Sequence, residues 1–218
     1  MLSLNPTDTL IQDYERKYNK TLVQVPQDLN NQGVCFALSF YWIYLIRSEK
    51  AKVPDSKDII EKLKSIKKNL LSQTNKDLNK AISSLDYKQE IKAWFNTKVA
   101  WKFDLEEIVS GNSFSLGDEL LKGLNKSADP RFNKFFWHMV FGFDYTYKDD
   151  GRSSGHTTAI LRVAPSEEYK FFDPNIGIFT FPGAFELAEW LCKAYWPYKS
   201  TTRNMTKWDL RGISAQKF

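Results

Sequence analysis

Gly33-Val34-Cys35-Phe36-Ala37-Leu38-Ser39-Phe40-Tyr41-Trp42-Ile43-Tyr44-Leu45-Ile46 is the stretch on which the fold turns. From Cys35 to Ile46 the residues are apolar nearly all round, a pattern that belongs to a helix buried on every side rather than one lying on a surface. A central helix is predicted, and the rest of the chain must supply what surrounds it. The run is too short for a bilayer, which takes about 20 residues to cross, so no transmembrane segment is expected.

Downstream, Pro54-Asp55-Ser56 is a helix start signal. Asp58 to Leu71 then places Ile59, Ile60, Leu63, Ile66, Leu70 and Leu71 at near-helical spacing with lysines outward. Asp77 to Phe95 repeats that character less cleanly, and Leu116 to Leu124 reads as a short helix after a Gly/Ser/Asn-rich loop at Ser110 to Ser115. The first half is therefore expected to be mainly helical. Beyond Pro130 the texture becomes β. Phe135 to Tyr147, Thr157 to Val163, Tyr169 to Phe172 and Ile176 to Phe181 are rich in aromatic and β-branched residues, with turn clusters between them. Ala184 to Tyr195 reads as a closing helix before Pro197, and Trp208 to Ile213 as an added edge strand. The fold class is α+β, a helical N-terminal half whose buried central helix packs on a C-terminal antiparallel sheet. Neither an internal repeat nor a linker interrupts it, so residues 1–218 are expected to form one domain.

Upstream, residues 1–29 are polar and lack period apart from an extended patch at Thr21 to Val25, and they read as an N-terminal arm. Asp8, Asp13 and Glu15 stand where an apolar h-region would be needed, so a Sec signal peptide is not expected and export would take another route.

A chain of 218 residues with 42% apolar and 15% aromatic residues can bury a core, which excludes wholesale disorder and a staple-dependent miniature scaffold. Cys35 and Cys192 are too few for a disulfide framework or a four-ligand structural zinc site, and they suit a reducing compartment. The formal charge is +5. Its excess lies in the segment 47–80, which reads better as the solvated face of a helix pair than as a docking surface. Aromatics are not interleaved with those lysines, so a nucleic-acid partner is not expected.

Cys35 falls at the first turn of the buried helix, where the positive end of the helix dipole stabilises a thiolate. The same position also suits a small buried hydrophobe. The chain has two histidines. His138 lies inside Trp137-His138-Met139-Val140-Phe141 and reads as a packed core residue. His156 opens a strand after the polar, flexible Gly151-Arg152-Ser153-Ser154-Gly155 and is the better base. Asp173 supplies a third group by strand parity. If the strands flanking Ala164-Pro165-Ser166-Glu167 form a hairpin with an even loop, His156 and Asp173 share a sheet face, either opposite each other or one diagonal step apart. Pro174 would then end the second strand beside the carboxylate. Cys35, His156 and Asp173 satisfy the logic of a triad: thiolate nucleophile, imidazole base and acid, and a carboxylate that orients the ring.

Gly33-Val34-Cys35-Phe36-Ala37-Leu38-Ser39 with Trp42-Ile43, then Gly155-His156, then Phe171-Phe172-Asp173-Pro174-Asn175-Ile176-Gly177-Ile178-Phe179, resemble the YopT/AvrPphB family of bacterial effector cysteine proteases in the papain-like clan. The resemblance implies a compact papain-like α+β fold and proteolysis inside a target cell. It implies no metal and no organic cofactor. Also implied are secretion as a bacterial effector by a non-Sec route, action in the target-cell cytoplasm on a protein substrate, and a monomer; a cognate immunity protein or chaperone is a further partner it leaves open. An oxyanion-hole amide a few residues before the nucleophile is implied as well. Asn30 fits the family position best, with Asn31 and Gln32 as close rivals. Thr157 departs from the small alanine that often follows the histidine in the family, and nothing between Trp42 and Pro130 aligns. The same triad is used by transglutaminase-like and deamidase-like toxins on glutamine side chains, and a binding module could keep the fold without catalysis.

Overall fold

The computed structural model describes residues 5–24, 35–48, 59–65, 101–112, 116–128, 137–163 and 166–217. The buried helix is α2 (Cys35–Ser48). Phe36, Leu38, Phe40, Trp42 and Ile43 are each at most 4% exposed, although they point in every direction around its axis. Trp42 stacks on Phe172 with ring centroids 5.2 Å apart. Ser39 is buried among these apolar groups, and its hydroxyl donates to the Thr157 carbonyl at 3.0 Å, so no polar atom is stranded there.

The described strands are β1 (Val23–Gln24), β2 (Trp101–Asn112), β3 (His138–Tyr147), β4 (Ser153–Val163), β5 (Glu168–Asp173), β6 (Gly177–Phe181) and β7 (Arg203–Lys217). They form one antiparallel sheet in the order β1-β6-β5-β4-β3-β7-β2. The two-residue period of a strand divides its side chains between two cores. Val140, Ala159, Leu161 and Phe172 pack with α2 and with Ile59, Ile60 and Leu63 of the helical residues 59–65. Met139, Phe141, Ile160 and Phe171 face the other way, toward α1 (Pro6–Tyr18), the Leu116–Ala128 helix and the helical run that begins at Ala184. The α+β class expected from sequence is the one observed, with the sheet between α2 and a second layer of helices. Among the described residues no helix is long and apolar enough to cross a membrane.

Four elements differ from the pattern read in the sequence. The N-terminal arm contains helix α1. Asn5 caps it by accepting the Thr7 N–H at 3.1 Å, Pro6 occupies its first turn, and Leu10 and Tyr14 are buried one turn apart. The Tyr14 hydroxyl both donates to the Thr180 carbonyl and accepts the Thr180 N–H, at 2.9 and 2.7 Å, which ties α1 to β6. The first half is also less helical than expected, because residues 101–112 form the strand β2, running through the start of the loop expected at Ser110 to Ser115. Trp208 to Ile213 is the middle of a fifteen-residue strand that lies between β3 and β2 rather than at an edge. Finally, the closing helix does not stop at Pro197. A five-residue π-helical segment, Leu191–Tyr195, precedes Trp196–Ser200 and widens the turn that the proline ring would crowd, so the chain stays helical to Ser200. Of the second expected helix, residues 59–65 are helical. The helix expected at Asp77 to Phe95 lies outside the described residues.

The β4–β5 ladder stops at Ala159↔Phe172, whereas β4 continues beside β3 as far as Ser153↔Thr146. Residues 153–157 of β4 therefore extend past the end of β5. His156 stands on this extension, where α2 meets the sheet.

Candidate active site

Cys35 is the first residue of α2 and is half-buried. The apolar helix holds its own axis in the core, so the one end that reaches β4 carries the thiol. The His156 ring and the backbone of Thr157 both act on that thiol. Burial alone would push the thiol pKa up. The pull of His156, with help from Thr157, outweighs it and holds Cys35 below the ordinary thiol value.

His156 is buried, with the edge of its ring against Phe143 at 5.3 Å between centroids. Its Nε2 lies 2.8 Å from Asp173 Oδ1. With Nε2 taken, Nδ1 is the nitrogen left for Cys35. Burial lowers the imidazole pKa, but the charge of Asp173 outweighs it, against an opposing push from Lys199, and the net direction is upward. The register is the diagonal one of the two arrangements that parity allows. The ladder carried one step beyond Ala159↔Phe172 sets Thr158 opposite Asp173, with His156 two residues along on the same face.

Asp173 is fully buried, and both of its carboxylate oxygens have polar partners. Oδ1 accepts the Asn175 N–H at 2.8 Å as well as facing His156. Oδ2 accepts the Tyr195 hydroxyl at 2.7 Å and lies 2.9 Å from Lys199 Nζ. Burial would raise its pKa; the Lys199 ammonium, His156 and the Asn175 N–H hold it well below the usual carboxylate range. β5 ends at Asp173, and the turn through Pro174 closes with the Ile176 N–H on the Asp173 carbonyl at 3.0 Å. Gly177 follows with φ 156°, and a Cβ there would lie 2.4 Å from the Val23 carbonyl oxygen, so β1 can approach this turn only over a glycine.

Cys35, His156 and Asp173 are thus brought together. His138 is not: it opens β3 opposite Leu161, five residues along the ladder from the Phe143↔His156 pair, or roughly 17 Å at strand rise. Asn30, Asn31 and Gln32 lie outside the described residues. Tyr195 and Lys199 are contributors that sequence reasoning missed. They stand at i and i+4, the spacing of one helix face, but ending the helix at Pro197 hides that relation.

No protein-family model matches the chain, and no curated protein matches it. Two solved structures are similar to it. One is the Pseudomonas avirulence protein AvrPphB, at 16% identity over 94% of this chain and 99% of that one, with a TM-score of 0.48. The other is PatoxP, a cysteine protease-like domain of the Photorhabdus asymbiotica toxin PaTox, at 17% identity over 93% of this chain, with a TM-score of 0.41. This chain spans 57% of the PatoxP structure.

Proposed function

We propose that the chain is a papain-like cysteine endopeptidase, a bacterial effector or toxin that reaches a target cell by a non-Sec route and cleaves a protein in its cytoplasm. The observation that carries the chemistry is the buried pair of His156 Nε2 and Asp173 Oδ1 at 2.8 Å, with the same imidazole acting on the Cys35 thiol at the start of α2. The family resemblance and the two structural neighbours support the cellular setting.

In this reading His156 takes the Cys35 proton through Nδ1, and the thiolate adds to the scissile carbonyl carbon. Negative charge collects on the carbonyl oxygen. The Cys35 backbone N–H, which has no intrahelical partner at a helix start, is one donor for it, and Asn30, or its rival Asn31 or Gln32, supplies the second. His156 then gives its proton to the leaving amine as the C–N bond breaks. A water, deprotonated by the same ring, releases the acyl group from sulfur and restores the thiol. Asp173 keeps the ring in one tautomer and stabilises the imidazolium throughout.

The test is a search for new protein N-termini in target-cell extract treated with wild type or Cys35→Ala. New N-termini confined to the wild type support an endopeptidase. Glutamine mass changes without chain scission would replace it with the deamidase or transglutaminase chemistry, and no wild-type-specific change would leave a binding module.

A further inference from the structure

Lys199 is 4% exposed, at the end of the helical run that follows the π segment. A lysine is rarely buried to this extent without a partner. Its Nζ lies 2.9 Å from Asp173 Oδ2, and it rests over the faces of Tyr195 and Tyr198, 5.0 and 5.4 Å from their centroids. We propose that Lys199 is a positioning residue of the thiol chemistry: its buried ammonium clamps the far oxygen of Asp173, so that the near oxygen stays aimed at His156 and the carboxylate is never left without a counter-charge. This rests on the triad reading above.

Asp173, Lys199 and His156 are all buried from water, so their charges must balance one another. With Lys199 in place, Asp173 is compensated whether His156 is neutral or protonated. Without it, the imidazolium is, among the described residues, the one buried cation on the carboxylate, and His156 cannot pass its proton to the leaving amine without baring a buried negative charge. The ammonium therefore keeps the imidazolium acidic enough to act as a proton donor. Tyr195 cannot replace it. Its phenol binds the same oxygen at 2.7 Å but carries no charge, because burial and the adjacent carboxylate push its pKa well above the ordinary value.

The groups facing this pair can be named element by element. From β5 comes Asp173 and from β4 His156; Cys35 follows from α2, through the ring. Tyr195 comes from the π segment and Tyr198 from the same helical turn as Lys199. Arg203 at the start of β7 acts on the Tyr195 phenol. From α1, Thr7 bonds the Tyr198 hydroxyl at 2.9 Å and brings no charge.

The test needs no substrate. In a Cys192→Ser background, the rate of Cys35 alkylation by iodoacetamide is followed against pH, and the two histidines are titrated by NMR with His138 as the internal reference. Lys199→Met is expected to move the thiolate limb and the His156 midpoint to higher pH by about one unit, the effect of removing one nearby buried charge. Lys199→Arg should keep both where the wild type has them. Lys199→Gln, which retains a hydrogen bond to Oδ2 without the charge, should behave as Lys199→Met and carries the test if the methionine variant does not fold. Unmoved midpoints in the neutral variants, with only a lower melting temperature, would reduce Lys199 to a structural pin and overturn the proposal. A wild type whose Cys35 titrates as an ordinary thiol, indifferent to His156→Ala, would overturn the triad itself and this proposal with it, before any Lys199 variant is made.

Discussion

Ser39 Oγ donates to the carbonyl oxygen of Thr157 at 3.0 Å, across the contact between α2 and β4. Ser39 is one helical turn from Cys35, and Thr157 is one residue from His156, so this bond fastens the face of the helix that carries the nucleophile to the strand that carries the base. The α2 face otherwise meets the sheet through apolar side chains, whose packing fixes distance less sharply than a hydrogen bond does.

Ser39→Ala is expected to lower stability by about 1 to 2 kcal/mol, the cost of stranding a buried polar group. It should also slow Cys35 alkylation at mildly acidic pH, because the thiol and ring are no longer held in register. Urea unfolding reads the first effect and mass spectrometry of the alkylated thiol reads the second.

Cys35→Ser should abolish proteolysis while changing stability by no more than about 1 to 2 kcal/mol, since it removes chemistry but little volume. Cys192→Ser is the contrast. Its sulfur sits where a Cβ on Gly117 would lie 3.3 Å away, in the packing between two helices, so it affects stability and leaves turnover intact.

His156→Ala should lose as much activity as Cys35→Ala, whereas His138→Ala should keep specific activity once the folded fraction is measured by circular dichroism. Asp173→Asn should retain more activity per folded molecule than either triad knockout. It should nonetheless be the least stable of the four, because it leaves the buried Lys199 ammonium without its carboxylate, a loss of about 3 to 5 kcal/mol.

Much of this site was legible in the sequence. An apolar run longer than a strand announced α2, and parity about a short turn put His156 and Asp173 on one face before any coordinates did so. The signal for β2 was present too: Trp101, Phe103 and Leu105 alternate with Lys102, Asp104 and Glu106, but a bulge between Glu107 and Val109 shifts the phase and blurs it. Helix α1 hid because a mostly polar segment needs only Leu10 and Tyr14 to anchor it. Tyr195 and Lys199 were concealed by Pro197, whose usual meaning is reversed by the π segment before it.

Stability should also vary with pH in two opposed ways. Asp173 has its pKa depressed in the folded state, so its contribution is present above the unfolded carboxylate value of about 3.9 and is lost as pH falls below it. His156 has its pKa raised, so its contribution is full below about 6.5 and is lost as pH rises through the folded value. Thermal unfolding of Cys35→Ala across this range should show both declines, with the alkaline one missing from a Cys35→Ala/His156→Ala double variant. A single decline, unchanged by removing His156, would contradict the ring's ion pairing with Asp173.

The proposed chemistry requires that His156 make Cys35 a thiolate. Its most direct measurement is the rate of Cys35 alkylation by iodoacetamide near pH 6, in a Cys192→Ser background, with and without His156→Ala. Cys35 should react readily there, well below the range in which an ordinary thiol ionises, and His156→Ala should slow it by at least about tenfold, the factor for each unit that the thiol pKa returns toward about 8.5. A slow reaction in both proteins, rising only above pH 8 along one shared curve, would contradict it.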